Sequence, residues 1–335
     1  MVASEPRVKS PVSPPWWRDR RLLPWLVQAA VGLVVLLLIA FLLGNLVRNL
    51  TAAGLLVSWR WLNQPAGFDL SETLLPFNAE LPYWRALLAG LVNTLRAVLA
   101  GLVGASLLGL LVGMAAFSRN GLLRGLARAY VELIRNIPLL VQLVFWYFVV
   151  FLSLPNGQAA IQLPGVVLAK SGLYLAGLGP GWQWTLPHLT NGVWQAPLRL
   201  TVEFGALLTG LIIYSGAFIA EVIRGGIAAI PKGQWEAAAS LGIGWFNTFR
   251  VIVLPQALRV ILPGLNTQYI SLAKNSSLAV AVGYTDLYSV AETTLNQTGR
   301  AVEVYLLLLA VYLSLDLLIS AIMNSLNRLV QIRER

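Results

Sequence analysis

Between Trp25 and Val47 the chain carries no charged residue. About 23 apolar residues, rising roughly 1.5 Å each as a helix, span a hydrocarbon core of roughly 30 Å. A secretory signal has a shorter apolar core and a small-residue cleavage site, so this run reads as a retained membrane helix. Comparable runs recur along the 335 residues, of which 57% are hydrophobic and 11% charged. A soluble domain carries about 25% charged residues. So few charges do not cover a water-soluble protein of this size, and the regular long runs decide for a membrane protein.

Six spans are expected: 25–47, about 87–117, about 130–154, about 198–223, a fifth starting near Pro255, and about 304–326. The fifth is expected to be interrupted at Pro263 and again at Lys274-Asn275-Ser276-Ser277. Six spans put both termini on one side. Most of the 24 lysines and arginines fall on that side: Arg7, Lys9, Arg18, Arg20 and Arg21 in the head; Arg119, Arg124, Arg128 and Arg135; Arg224, Lys232, Arg250 and Arg259; and Arg328, Arg333 and Arg335 in the tail. The positive-inside rule makes that side the cytoplasm. The net charge of +10 is spread between apolar segments rather than gathered in a patch, which argues against nucleic acid as a partner. The domain reading is a cytoplasmic head (1–24, Pro/Ser-rich at its start), a first span (25–47), an extracytoplasmic segment (48–85) and a five-helix core (86–330). The core carries an outer insertion at 155–197 and a cytoplasmic loop at 231–255.

The two outer segments hold Trp59, Trp61, Tyr83 and Trp84, and Tyr174, Trp182, Trp184 and Trp194. Aromatics with a polar edge favour the headgroup zone, so both segments are expected to lie against the outer interface. The apolar stretch 161–179 is a candidate re-entrant or interfacial helix. Cysteine is absent and His188 is the lone histidine, so neither a disulfide framework nor a His-cluster or thiolate metal centre is expected; His188 reads as a loop or interfacial residue. The glycine pairs Gly109/Gly113 and Gly121/Gly125 read as sites of close helix packing.

Polar groups inside a bilayer are costly unless they meet partners or line water. Asn266, Gln268, Lys274, Asn275, Ser276 and Ser277 gather where the fifth helix is expected to break, and broken helices expose backbone groups that bind ions or zwitterions. With Asn93, Thr94 and Gln142 they are the candidate path lining; stitching between helices is the alternative. Glu221 and Arg224, at i and i+3, are a candidate structural or gating pair, and Pro255 and Pro263 are candidate structural positions. Asp316 is the one acid of the last span: a pathway acid, a buried partner of an arginine, or a protonated group.

On the cytoplasmic side, Gln234 to Leu241 reads as a short helix, helped by Ala237-Ala238-Ala239. Gly242 suits the left-handed position after it. Trp235, Ala238, Ala239 and Leu241 are expected to share one exposed face, which calls for a partner groove. Glu236-Ala237-Ala238, then Gly242, then Ile252-Val253-Leu254-Pro255 resembles the EAA loop of ATP-binding-cassette importer permeases. Glu221-Val-Ile-Arg-Gly-Gly-Ile227, Lys274-Asn-Ser-Ser-Leu278, Asn93-Thr94-Leu95 and Glu132-Leu-Ile-Arg-Asn-Ile-Pro138 resemble its polar amino-acid (histidine/glutamine) branch. The longer segments 48–85 and 155–197 are like those of broad-range amino-acid importers.

The resemblance implies an all-α integral membrane protein of the type I importer kind. It implies a permease subunit for L-amino acids in a bacterial inner membrane, coupled to separate ATPase subunits through Trp235, Glu236, Ala237, Ala238, Leu241 and Gly242. It further implies a second permease subunit, a periplasmic amino-acid-binding protein, and ATP-Mg held on the ATPase with no cofactor on this chain. No GxxxxGK[ST] phosphate loop occurs here. An intramembrane enzyme lacks its usual residue pairs. A membrane scaffold or ATPase-docking regulator with no solute path is the alternative function.

Overall fold

In lipid every backbone N–H and C=O must be paired internally, so uncharged apolar runs of this length fold as helices. The computed structural model describes residues 23–52, 54, 57–118 and 120–330. Most of the expected head (1–22), Arg119 and the tail charges Arg333 and Arg335 lie outside the described residues. Two compact units divide near Ser58. The first holds α1 (Leu23–Ala52), a 30-residue helix with exposed apolar side chains such as Leu36, Leu37 and Phe41.

The second unit opens with an irregular segment (59–82). Its Trp61 is buried against the edge of Tyr83, ring centres 5.5 Å apart, and Phe68, Leu70 and Phe77 join the same apolar cluster. Then come α2 (Tyr83–Ala115), α3 (Gly121–Arg135) and α4 (Leu139–Val144), the last running on as a π-helix through Phe151. The expected third span, about 130–154, is bent rather than straight. Pro138 lacks an N–H and disfavours helix at Ile137, so the chain bends by 102° between α3 and α4.

The second outer segment also departs from expectation. It folds as short strands rather than a helix: β1 (Ile161–Leu163), β2 (Val166–Ala169), β3 (Gly172–Leu175), β4 (Gly177–Leu178), β5 (Trp184–Thr185), β6 (His188–Thr190), β7 (Val193–Gln195) and β8 (Leu198–Leu200). The antiparallel order β1-β2-β3-β8 makes one sheet; β4-β5 and β6-β7 are separate hairpins. Pro164-Gly165, with Gly165 at φ +77°, turns β1 into β2 with Leu163 opposite Val166. Turns every few residues leave no run long enough for a helix. Tyr174 and Trp194 form the core of this insertion, and Trp182 and Trp184 stay exposed; Trp61 and Tyr83 are likewise buried in protein. The expected interfacial aromatics are therefore partly core residues, because each segment buries a small core of its own. His188 sits exposed in β6.

The remainder is α5 (Val202–Ala228), α6 (Lys232–Ser240), α7 (Trp245–Asn247), a π-helix (Thr248–Val253), α8 (Leu254–Asn275), a 3-10 stretch (Ser276–Val282), α9 (Leu287–Thr298) and α10 (Ala301–Val330). Five helices are long and apolar enough to cross a membrane, or six if the bent α3–α4 pair counts as one. The helix continues through Pro263, contrary to expectation. It tightens at Ser276 instead, where serine hydroxyls bond backbone carbonyls: Ser276 Oγ donates to Ala273 O and Ser277 Oγ to Lys274 O, both at 2.8 Å.

Helices α2 and α5 pack along their lengths through small residues. A Cβ on Gly109 collides with Ile219 and lies 3.0 Å from the Gly216 carbonyl; one on Gly113 lies 3.0 Å from Ile223. Nothing lies within 4 Å of a Cβ on Gly121 or Gly125, so close packing belongs to the first pair alone. Gly109→Val is expected to cost about 1–3 kcal/mol by overpacking against a branched side chain and backbone. A lowered thermal unfolding midpoint in detergent, with Gly125→Val unchanged, checks this.

Candidate functional site

The alanine-rich α6 ends in a cap that its sequence dictates. Gly242 takes φ +71°. Its N–H donates to Ala239 O and the Ile243 N–H to Ala238 O, each at 3.0 Å. This pair of bonds is a Schellman motif, which needs a left-handed residue at the glycine position. The cap ends the helix sharply and turns the chain into α7 and the π-helix.

The face of α6 differs from expectation. Ala238 is 1% exposed and Trp235 half-buried, both turned toward the body of the chain, where Trp235 packs against the cluster containing Ile227 and Val253. At i and i+3 they form the apolar side, and their own chain offers the nearest apolar surface. Glu236, Ala237, Ala239 and Leu241 face outward, Leu241 at 77% exposure. Beside α6 a cleft of ≈ 680 Å³ is lined by Leu111, Met114, Phe117, Leu123, Trp235, Trp245 and Phe249. Trp245 and Phe249 stack at 5.8 Å within one turn. Motion of α6 therefore bears on the C-terminal ends of α2 and α5 and, through the π-helix and Pro255, on the start of α8. Near the C-terminal end of α5, Arg224 grips both Glu221 oxygens, at 2.5 and 2.8 Å. Pro263 lies exposed inside α8.

The polar candidates fall into two groups. Asn93, Thr94 and Gln142 are buried and bond backbone. Asn93 Nδ2 donates to Glu72 O (2.7 Å) and Thr285 O (2.8 Å); Thr94 Oγ1 accepts from Leu287 N (2.9 Å); Gln142 Nε2 donates to Ile134 O and Ile137 O across the α3–α4 bend (3.0 and 2.9 Å). Lys274 and Ser277, by contrast, line a cleft of ≈ 500 Å³ with Tyr288, Tyr305 and Tyr312. Lys274 Nζ lies 3.2 Å from Asp316 Oδ2, so the partner of the last span's acid is a lysine. Asn266, Gln268 and Asn275 are half-buried on α8, and Ser276 is buried. Among the described residues no cluster of three or more His, Asp or Glu could hold a metal.

Residues 105–332 match the family model described as "Binding-protein-dependent transport system inner membrane component". This chain is an inner-membrane component of a binding-protein-dependent transport system. The permease is 36% identical to the general L-amino acid transport system permease protein AapQ of Rhizobium johnstonii, over 87% of each chain. It is 31% identical to the glutamate/glutamine/aspartate/asparagine transport system permease protein BztB of Rhodobacter capsulatus, over 95% of this chain and 96% of that one. Among solved structures, an amino acid ABC transporter crystallised with histidines matches 73% of this chain and 94% of its own, with TM-score 0.55 and 28% identity.

The permease also contains polar residues that the motif search passed over. Glu72, Arg96 and Thr201 come together at the N-terminal end of α5: Arg96 Nη1 lies 2.5 Å from Glu72 Oε1, and Thr201 Oγ1 donates to Glu72 Oε2. One signal was available, an arginine inside a helix otherwise free of charge over residues 86–115.

Proposed function

We propose that this permease carries L-amino acids inward across the inner membrane, driven by separate ATPase subunits that hold ATP-Mg and grip α6. The observation that carries the reading is the capped helix itself. A nine-residue helix fixed by a Schellman turn presents Glu236, Ala237 and Leu241 outward, while its other face, Trp235 and Ala238, is seated on the ends of the spans. A grip on the outer face is thereby transmitted to α2, α5 and α8. Two states that differ in these contacts couple nucleotide binding to the solute path.

The finer topology follows the same reading. Six spans, counting α3–α4 as one, put both ends of the chain in the cytoplasm with α6, in agreement with the basic residues Arg124, Arg128, Lys232 and Arg250. A second permease subunit completes the path, and a periplasmic amino-acid-binding protein delivers the solute; the family's binding-protein dependence and the amino acids in the relatives' names support the delivery. Lys274 and Ser277, with the tyrosines of their cleft, are the path residues this chain contributes.

The test is reconstitution in proteoliposomes with the ATPase and binding protein. ATP-dependent accumulation of radiolabelled L-amino acids, with hydrolysis stimulated by loaded binding protein, is the expected result. Hydrolysis without accumulation would leave only an ATPase-docking scaffold. In the same assay Glu236→Arg is expected to lower ATPase recovery on the purified permease about tenfold or more, because it reverses a charge on the gripped face.

A further inference from the structure

Glu72 belongs to an irregular stretch, residues 71–76, whose flanks are anchored by Phe68, Leu70 and Phe77 in the outer apolar cluster. Its side chain is 12% exposed and reaches between two other elements, α2 and the start of α5. From α2, Arg96 pairs with one carboxylate oxygen while its guanidinium lies 4.0 Å over the Phe204 ring. From the cap of α5, the Thr201 hydroxyl donates to the other oxygen. One turn before Arg96, Asn93 donates to the Glu72 backbone carbonyl, which also accepts from Thr285 Oγ1 at 2.7 Å. Asn93 is 0% exposed and its Oδ1 has no donor.

A buried ion pair is a weak stability device, because desolvation offsets most of its attraction. This one is also the set of contacts a free amino acid needs. A guanidinium and a hydroxyl at a helix N-terminus take a carboxylate by both oxygens, and the buried, unpartnered Asn93 Oδ1 is an acceptor for an ammonium. We propose that Arg96, Thr201 and Asn93 form a receptor for the zwitterionic head of an α-amino acid at the outer mouth, and that Glu72 is its tethered occupant. Solute arriving from outside displaces the Glu72 carboxylate and thereby frees residues 71–76. This rests on the importer reading above.

The test uses the reconstituted complex and a radiolabelled L-amino-acid mixture. Wild-type complex that takes up nothing overturns the importer reading and this inference together; with wild-type uptake present, the following outcomes bear on this inference alone. Glu72→Gln removes the competing charge and is expected to tighten direct binding, measured without the binding protein, by tenfold or more. The exchanged pair E72R/R96E restores opposite charges without the receptor, so it assembles but uptake stays at least tenfold down. As an independent measurement, Thr73→Cys leaves Glu72 in place and gives a unique thiol in a cysteine-free chain, and its labelling by an impermeant maleimide is expected to accelerate when solute is added. Unchanged or weakened binding for Glu72→Gln, uptake restored by the exchange, or labelling indifferent to solute each overturns the proposal.

Discussion

Gly242→Val is expected to cut ATP-driven uptake by at least about tenfold while the protein still inserts and still retains its ATPase. Gly242 holds φ +71°, a region in which an L-residue costs about 1–2 kcal/mol and a β-branched one more. No atom lies within 4 Å of a Cβ built there, so the substitution acts through the backbone alone and spares every packing contact. The valine drives the cap toward negative φ and breaks the bonds from Gly242 to Ala239 and from Ile243 to Ala238. Helix α6 then keeps its sequence and its gripped residues but loses its fixed angle to α7 and the π-helix. Each 1.4 kcal/mol corresponds to a factor of ten in the population of the seated form. Solute-stimulated hydrolysis and uptake, measured together, should separate: hydrolysis persists and uptake falls. Gly242→Asn is the control, because asparagine tolerates left-handed backbone, and it should retain most uptake. Equal uptake by the valine variant would remove the cap from the coupling path.

The cap was legible because its determinants are local. Three alanines, a glycine at the right offset and a proline further on state where a short helix starts and stops without reference to the rest of the chain. The direction of its apolar face was not legible. Trp235 and Ala238 needed an apolar surface, and only the fold shows that Ile227 and Val253 of the same chain supply it. Spans were legible for the corresponding physical reason: twenty or more uncharged residues have one stable form in lipid. The 161–179 stretch was misread because hydrophobic content was given more weight than turn chemistry. Pro164-Gly165, Gly172 and Gly177 divide it into pieces too short for a helix and suited to hairpins. Pro263 erred the other way, since a neighbourhood of packed helices tolerates a proline that an isolated helix does not. The Glu72 contacts were beyond sequence reasoning, as they join residues 24 and 129 positions apart.

Lys274→Met should lower the thermal midpoint of the permease, and adding Asp316→Leu should return most of the loss. Lys274 Nζ and Asp316 Oδ2 meet at 3.2 Å, within two helices that both qualify as spans. Removing the acid alone leaves an ammonium without its counter-charge, but the Lys274 side chain is 60% exposed in the last turn of α8, so this single loss is small. Lys274→Met alone leaves Asp316, whose side chain is 16% exposed and whose Oδ1 already lacks a partner, with the larger penalty, on the order of 2 kcal/mol. The double replacement removes both charges and fills the space with apolar atoms, so its midpoint should approach the wild type, and the coupling energy of the cycle should be on the order of 2 kcal/mol. Transport then decides what the pair is for. Lys274 opens onto the cleft it shares with Ser277 and Tyr312, so the doubly neutral protein is expected to fold normally and still take up amino acids at least about tenfold more slowly. Full uptake by that protein would reduce the pair to a staple between α8 and α10 and move the path to other side chains.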